Sequence, residues 1–174
     1  MTDQVSRRQR ILKVAHALFE EQKKMGAIAV LSPTPQDLID IIVSSIILSD
    51  SYNTIIDVGC GDGRWLLGWA TVNPLAFGYG IDIEESKVMT AKSLLNACSK
   101  DVQNRIEFVL CDYCQFNFCL TNVVVVYLSR FGNEKIKAKI LSECHRGTSI
   151  VAIGVCSNIL FPKYSLLISF CMFM

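Results

Sequence analysis

The sequence predicts an α/β domain built on a doubly wound, mostly parallel sheet. Three observations carry that expectation. Short β-branched runs alternate with longer stretches of helical periodicity, the pattern of successive βαβ units. One of those runs, Thr54 to Val58, passes through a glycine-rich loop straight into a helical stretch. The 174 residues suit a single core, and 51% hydrophobic with 19% charged residues is a globular composition, not a disordered one.

The elements follow in order. Residues 6–24 place Ile11, Leu12, Ala15, Leu18 and Phe19 at helical spacing, with Arg7, Arg8, Arg10 and Lys13 among them. This is an amphipathic helix. It reads as a surface helix, with a mitochondrial presequence as the alternative, because acids are sparse before Glu20. Ser32-Pro33-Thr34-Pro35 is a stiff loop, since each proline restrains its own φ and the residue before it. A second helix covers Gln36 to Ser49. Strands are expected at Thr54–Val58, Phe77–Ile83, Ile106–Cys111, Asn122–Tyr127 and Thr148–Val155. Helices are expected from Arg64 to Ala70, from Glu84 to Ala97, with acids in the first turn where the dipole favours them, and from Asn133 to Glu143. The organisation expected is a helical segment 1–30, a ligand-binding domain 31–162 and a short apolar tail 163–174.

Composition narrows the function. A net charge of +1 shows no nucleic-acid footprint. The stretch Gly147 to Met174 carries one charge, Lys163, but Ser157-Asn158 and Pro162-Lys163 interrupt it, so no membrane span is expected. The eight cysteines follow no secretory signal and read as reduced thiols, which implies a cytoplasmic protein, or a mitochondrial one under the presequence reading. Cys111-x-x-Cys114 has no second pair to complete a metal site, so no metal is expected.

The strongest chemical signal is Asp57-Val-Gly59-Cys60-Gly61-Asp-Gly63-Arg64. Its glycines let a ligand approach the main chain. A dinucleotide fingerprint would place its third glycine at position 64, where this chain has Arg. Asp57, at the end of its strand, suits a cationic ligand better than a pyrophosphate. Asp82, 25 residues later at the end of the next strand, is placed to bond ribose hydroxyls, or else to cap the helix that follows. Asp112 follows the third strand, where an acid accepts a hydrogen bond from an adenine amino group while neighbouring side chains cover the ring. Ligands of such folds bind beyond the carboxyl ends of the strands, and Asp57, Asp82 and Asp112 follow that order.

Together these residues resemble the class I S-adenosylmethionine (SAM)-dependent methyltransferase superfamily, over about residues 31 to 162. The resemblance implies a Rossmann-like sheet, with Asp57 and the backbone of Gly59, Cys60 and Gly61 on the methionine part of SAM. It also implies Asp82 and Ile83 on the ribose side, Asp112 and Tyr113 at the adenine, and Thr34 closing over the cofactor. A narrower similarity, carried by Ser32-Pro-Thr-Pro35, Gly61-Asp-Gly-Arg64, Val124-Val-Val-Tyr127-Leu128, Lys139-Ile-Leu and Gly147-Thr-Ser-Ile-Val151, is to small methyltransferases related to mitochondrial protein-lysine methyltransferases. In that group Leu-Pro commonly follows the Tyr-Leu pair; here Ser129-Arg130 follows.

The expected reaction is methyl transfer from SAM, with a protein lysine as the implied acceptor. Alignment and desolvation are its main requirements, and burial of a lysine amine favours the neutral nucleophile. Tyr127, ending the fourth strand, is the candidate for orienting the amine; the competing reading is a core or rim aromatic. The superfamily's sheet normally has seven strands, the last two an antiparallel hairpin. Only Ser157 to Met174 follow the fifth run, so the sheet is expected to be truncated there. Tyr164 to Met174 can supply one apolar strand, whose open edge would invite a partner. Two other functions compete: a catalytically silent SAM-binding or partner-binding domain, and an NAD-dependent oxidoreductase.

Overall fold

The computed structural model describes residues 36–43, 53–126, 130–152 and 165–169. The expected helix 6–24, the loop 32–35 and the residues 127–129 lie outside them. By contacts the chain divides into two units, Met1–Ile47 and Leu48–Met174. Within the first lies helix α1, Gln36–Val43. Ile39 and Val43, four residues apart, are buried, and the exposed Gln36 side chain donates to Asp40 at 2.8 Å.

The second unit holds a six-stranded sheet. Its strands are β1 (Asn53–Val58), β2 (Ala76–Asp82), β3 (Ile106–Leu110), β4 (Val123–Val126), β5 (Ser149–Ala152) and β6 (Ser165–Ser169). They are ordered β3-β2-β1-β4-β5-β6, and every pairing is parallel. A parallel sheet is covered on both faces, so its central strands are mostly apolar. Val123 to Val126 are all buried, as are Ile55, Ile56 and Val58. The helices are α2 (Arg64–Val72), α3 (Glu85–Asn96), α4 (Lys100–Gln103) and α5 (Arg130–Glu143), with a 3₁₀ turn at Tyr113–Gln115.

The expected Rossmann-like doubly wound architecture is thus present, and the five strand runs pair as that fold requires. After the fifth strand the sheet gains one short strand, within the stretch Tyr164 to Met174 that was expected to be able to supply one. β6 comes from the apolar tail and lies parallel to β5, with a register shift between Ile150 and Val151. The short helix α4 and the 3₁₀ turn were not expected. Both are too brief for periodicity to reveal; each is announced by a cap, with Ser99 Oγ accepting from Val102 and Asp112 Oδ1 from Cys114.

Two apolar layers enclose the sheet. On one face α5 sets Ile136, Ile140 and Cys144 against Ile56, Val58, Ile81, Val124, Val126 and Ile150, with Phe118 among them. On the other, side chains from α2 and β3 press so closely on β2 that it carries glycine at two positions. A Cβ at Gly78 would meet Leu66 of α2 at 2.6 Å, and one at Gly80 would meet Phe108 of β3 at 2.4 Å.

The end of the sheet remote from the strand tips is tied by Arg105. Its guanidinium donates to the carbonyls of Ala70, Asn73 and Ala76 and to Asp101, so one buried side chain joins the end of α2, the start of β2 and α4. A surface depression lined by Thr71, Pro74, Cys98 and Asp101 lies beside it, far from the carboxyl ends of the strands.

Candidate functional site

Strand order reverses between β1 and β4: the chain runs outward from β1 through β2 to β3, then returns to β4 on the other side. Ligands of doubly wound folds bind at such a switch point, beyond the carboxyl ends of the strands. The loop from Gly59 to Gly63 leaves β1 there and opens α2. Its three glycines have φ of 72°, 55° and 79°. At Gly63 geometry leaves no alternative, because the backbone is left-handed and an added Cβ would lie 2.3 Å from Phe108 Cζ. Around Gly61 nothing lies within 4 Å of an added Cβ, so its free face is open.

The amides of this loop are already committed. Gly59 and Cys60 both donate to the Ile81 carbonyl, at 2.9 and 3.1 Å. Gly61 donates to Asp82 Oδ2 at 3.0 Å, Gly63 to the Cys60 carbonyl, and Arg64 to Asp62 Oδ1. A pyrophosphate cradle needs such amides turned toward the ligand. Here they face the protein, and three carboxyl groups, Asp57, Asp62 and Asp82, surround the loop. Both features oppose a dinucleotide, and with it the oxidoreductase reading.

Asp57 is the most unusual of the three acids. It is 2% exposed, and its Oδ2 makes no hydrogen bond among the described residues. Burial, reinforced by Asp82 and then Asp62, pushes its carboxyl up to about 8. The group therefore carries a proton near neutral pH, and a positive charge placed beside it would favour its ionised form. Cys60 is buried beside it, and burial, with Asp57 next in weight, raises its thiol far above the ordinary range, so it stays protonated and inert. Asp62 differs because it bonds the Arg64 side chain, which holds it below the usual carboxylate range.

Asp82 closes β2. Its Oδ2 takes the Gly61 amide, and its Oδ1 takes the Glu84 amide at 2.9 Å. α3 begins at Glu85 with Glu84 as its N-cap, so Asp82 is not itself the cap residue, but it takes the cap residue's amide. Asp82 thereby ties the glycine loop to the entry of α3. Ile83 beside it is 70% exposed at the strand tip. The Cys111 amide donates to the Asp82 carbonyl at 2.9 Å, which brings the residues after β3 alongside. There Asp112 is exposed and caps the 3₁₀ turn, while Tyr113 is half-buried against the core. Burial, then Cys114, raises the Tyr113 phenol, so it remains neutral.

The tips of β1, β2 and β3 thus bring Asp57, Gly59, Cys60, Gly61, Asp82, Ile83, Asp112 and Tyr113 to one edge of the sheet. Thr34 and Tyr127 lie outside the described residues. The link from Asp82 to Gly61 was not foreseen, because it joins residues 21 apart through a turn whose path periodicity does not specify. Nor was the apolar support of Gly63 by Phe108.

Comparison with known proteins follows from this geometry. A family model, the ANTKMT methyltransferase domain, matches residues 57–154. A curated protein-lysine N-methyltransferase from Saccharolobus islandicus (strain REY15A) is 26% identical over 120 residues, covering 69% of this chain and 73% of that protein. Among solved structures, an RNA methyltransferase from Salinibacter ruber in complex with S-adenosyl-L-homocysteine (SAH) superposes with a TM-score of 0.60 at 28% identity, covering 70% of this chain and 76% of that one. The C-terminal domain of precorrin-6Y C5,15-methyltransferase from Rhodobacter capsulatus shares the fold, with a TM-score of 0.56 at 13% identity, over 72% of this chain and 65% of that one.

Proposed function

This chain belongs to the ANTKMT methyltransferase domain family, and from that premise we propose how it works: it is a SAM-dependent methyltransferase whose acceptor is the side-chain amine of a lysine in a protein. One observation carries the cofactor assignment. Asp57 Oδ2 is a buried oxygen with no hydrogen-bond partner among the described residues, beside a loop whose amides are turned away and whose surroundings are acidic. Such a site rejects phosphate and fits the one positively charged adenosyl cofactor of this chemistry. The lysine acceptor rests on the name of the curated relative.

In this reading Asp57 and the backbone of Gly59, Cys60 and Gly61 hold the methionine part of SAM. Asp82 and Ile83 serve the ribose, and Asp112 and Tyr113 serve the adenine. SAM supplies a methyl group already activated by its sulfonium. The chain's own contribution is placement: Asp82 holds the glycine loop against β2 while Gly61 leaves its open face to the ligand. Well-oriented reactants gain about 7–11 kcal/mol over an encounter in water. Tyr127, one residue beyond β4, is the proposed orienting group for the amine, and Thr34 the proposed closing residue. No general base is required if the lysine enters a dry site, since desolvation favours its neutral form.

The test begins with calorimetric binding of SAM to the parent and to an Asp57→Ala, Asp82→Ala double variant. Binding by the parent alone is expected. Labelled SAM is then offered with lysine-bearing proteins and, separately, with RNA. Label transferred to lysine supports the acceptor assignment. Label on RNA replaces it, and binding without transfer to either favours a catalytically silent domain. A folded parent that does not bind SAM refutes the cofactor assignment for this chain.

A further inference from the structure

Helix α5 ends in a pair of charges whose placement does not serve the helix. Lys139 precedes Glu143 by four residues, the less favourable orientation for an intrahelical pair, and Glu143 sits at the negative end of the dipole. Both side chains instead reach out to the segment that follows β3. Lys139 Nζ donates to the Cys114 carbonyl at 3.3 Å and stands 5.1 Å from the centre of the Phe118 ring. Glu143 Oε2 accepts from the Phe118 amide at 3.1 Å, and its Oε1 pairs with Lys139. Lys139 is 13% exposed, so its ammonium lies in a partly dry site with a carboxylate, a carbonyl and an aromatic face around it. Desolvation opposes the charge on Glu143, but Lys139 and the Phe118 amide outweigh it and hold that carboxyl below its ordinary range.

The segment so gripped is short and built around Asp112. Asp112 Oδ1 accepts the Cys114 amide at 2.8 Å, and the Asp112 carbonyl accepts the Gln115 amide at 2.9 Å. Phe116 packs on Tyr79 and on Phe118, with ring centres 5.5 and 6.4 Å apart. Phe118 itself is fully buried. One end of the turn is thus fixed by the tip of β3 and the other by α5, while the carboxylate between them faces solvent.

We propose that Lys139 and Glu143 are positioning residues, which brace the turn from Asp112 to Phe118 so that Asp112 is held in place to recognise the adenine amino group. The inference rests on the cofactor reading above. It concerns residues that touch neither cofactor nor acceptor, and their effect on affinity is transmitted through the turn.

The experiment pairs two readouts on the full chain and on Lys139→Met, Glu143→Gln and Lys139→Arg. The first is amide hydrogen exchange without ligand. In Lys139→Met the amides of Cys114 to Phe118 should exchange about tenfold faster while those of β1 and β2 are unchanged. The second is calorimetric affinity for SAH and for its inosine analogue, which replaces the adenine amino group with a carbonyl. The parent should favour SAH by about tenfold, the worth of one charge-assisted hydrogen bond. Lys139→Met and Glu143→Gln should narrow that preference to under about threefold, and Lys139→Arg should retain most of it. A purely structural role would weaken both ligands equally and leave the ratio intact, which would overturn the proposal. So would unchanged exchange in a folded Lys139→Met. A parent that binds SAH without preferring it over the analogue overturns the brace and its target while sparing the cofactor. A folded parent that binds neither ligand overturns the cofactor reading and the proposal with it.

Discussion

Replacing Asp57 by Asn should stabilise the ligand-free protein and weaken its grip on SAM, and the first effect should follow a defined course with pH. The folded carboxyl is raised from 3.8 to about 8 by burial, with Asp82 and Asp62 adding to it. The folded state therefore binds this proton more tightly than the unfolded state does. The stability attached to it is complete below about pH 3.8 and is lost as pH rises through about 8. At pH 7 roughly three pKa units separate solution and the unfolded carboxyl, which at 1.36 kcal/mol each makes the cost about 4 kcal/mol, an upper limit if water reaches the carboxylate. For a chain of this length a kcal/mol moves Tm by about 2–4 °C, so Asp57→Asn should melt ~8–16 °C higher at pH 7. The advantage should be small near pH 4 and level off above pH 8. Thermal melts of both proteins in a pH series read this directly. Because a cationic ligand restores the charge, SAM binding to the parent at pH 7 should also release a proton, visible as a dependence of the calorimetric enthalpy on buffer. Parallel Tm curves for parent and variant across the series would refute the buried, proton-bearing carboxyl.

Other expectations follow from the same geometry. Asp82→Ala leaves the Gly61 and Glu84 amides without their acceptor and should lower stability by about 1–3 kcal/mol, with a larger proportional loss in SAM affinity; urea melts and calorimetry separate the two. Gly63→Ala drives a Cβ into Phe108 at a left-handed position and should cost about 2–4 kcal/mol, partly recovered by Phe108→Leu, whereas Gly61→Ala, with open space around it, should cost about 1 kcal/mol. Arg105→Met removes the donor shared by Ala70, Asn73 and Ala76 and should cost about 3 kcal/mol in a urea melt while leaving SAM affinity unchanged, since that clamp lies at the opposite end of the strands.

Much of the β/α series was legible because its signals are local. A run such as Thr54 to Val58 or Val123 to Val126 is recognised by its own residues, and helix ends by their caps and periodicity. The candidate site was legible for the same reason in part: Asp57, Asp82 and Asp112 each stand at the end of a run, and the glycines between Asp57 and Arg64 are contiguous. The paths of short turns were less accessible. Nothing in the spacing of Lys100 to Gln103 or Tyr113 to Gln115 repeats often enough to distinguish a helical turn from a loop.

By itself, then, the sequence determined which segments are strands and which acids stand at their ends, because side-chain periodicity and backbone preference act over a few neighbouring residues. Only the tertiary structure decided what those acids do for one another. It spent Asp82 on the Gly61 amide, left Asp57 Oδ2 without a partner among the described residues, turned the loop amides inward and set Lys139 and Glu143 against the turn after β3. It also added β6 to the sheet beside β5. The contacts of Asp82, Lys139 and Glu143 join groups 21 to 25 residues apart, and a side chain's partner at that distance is chosen by packing of the whole sheet, which no local pattern records.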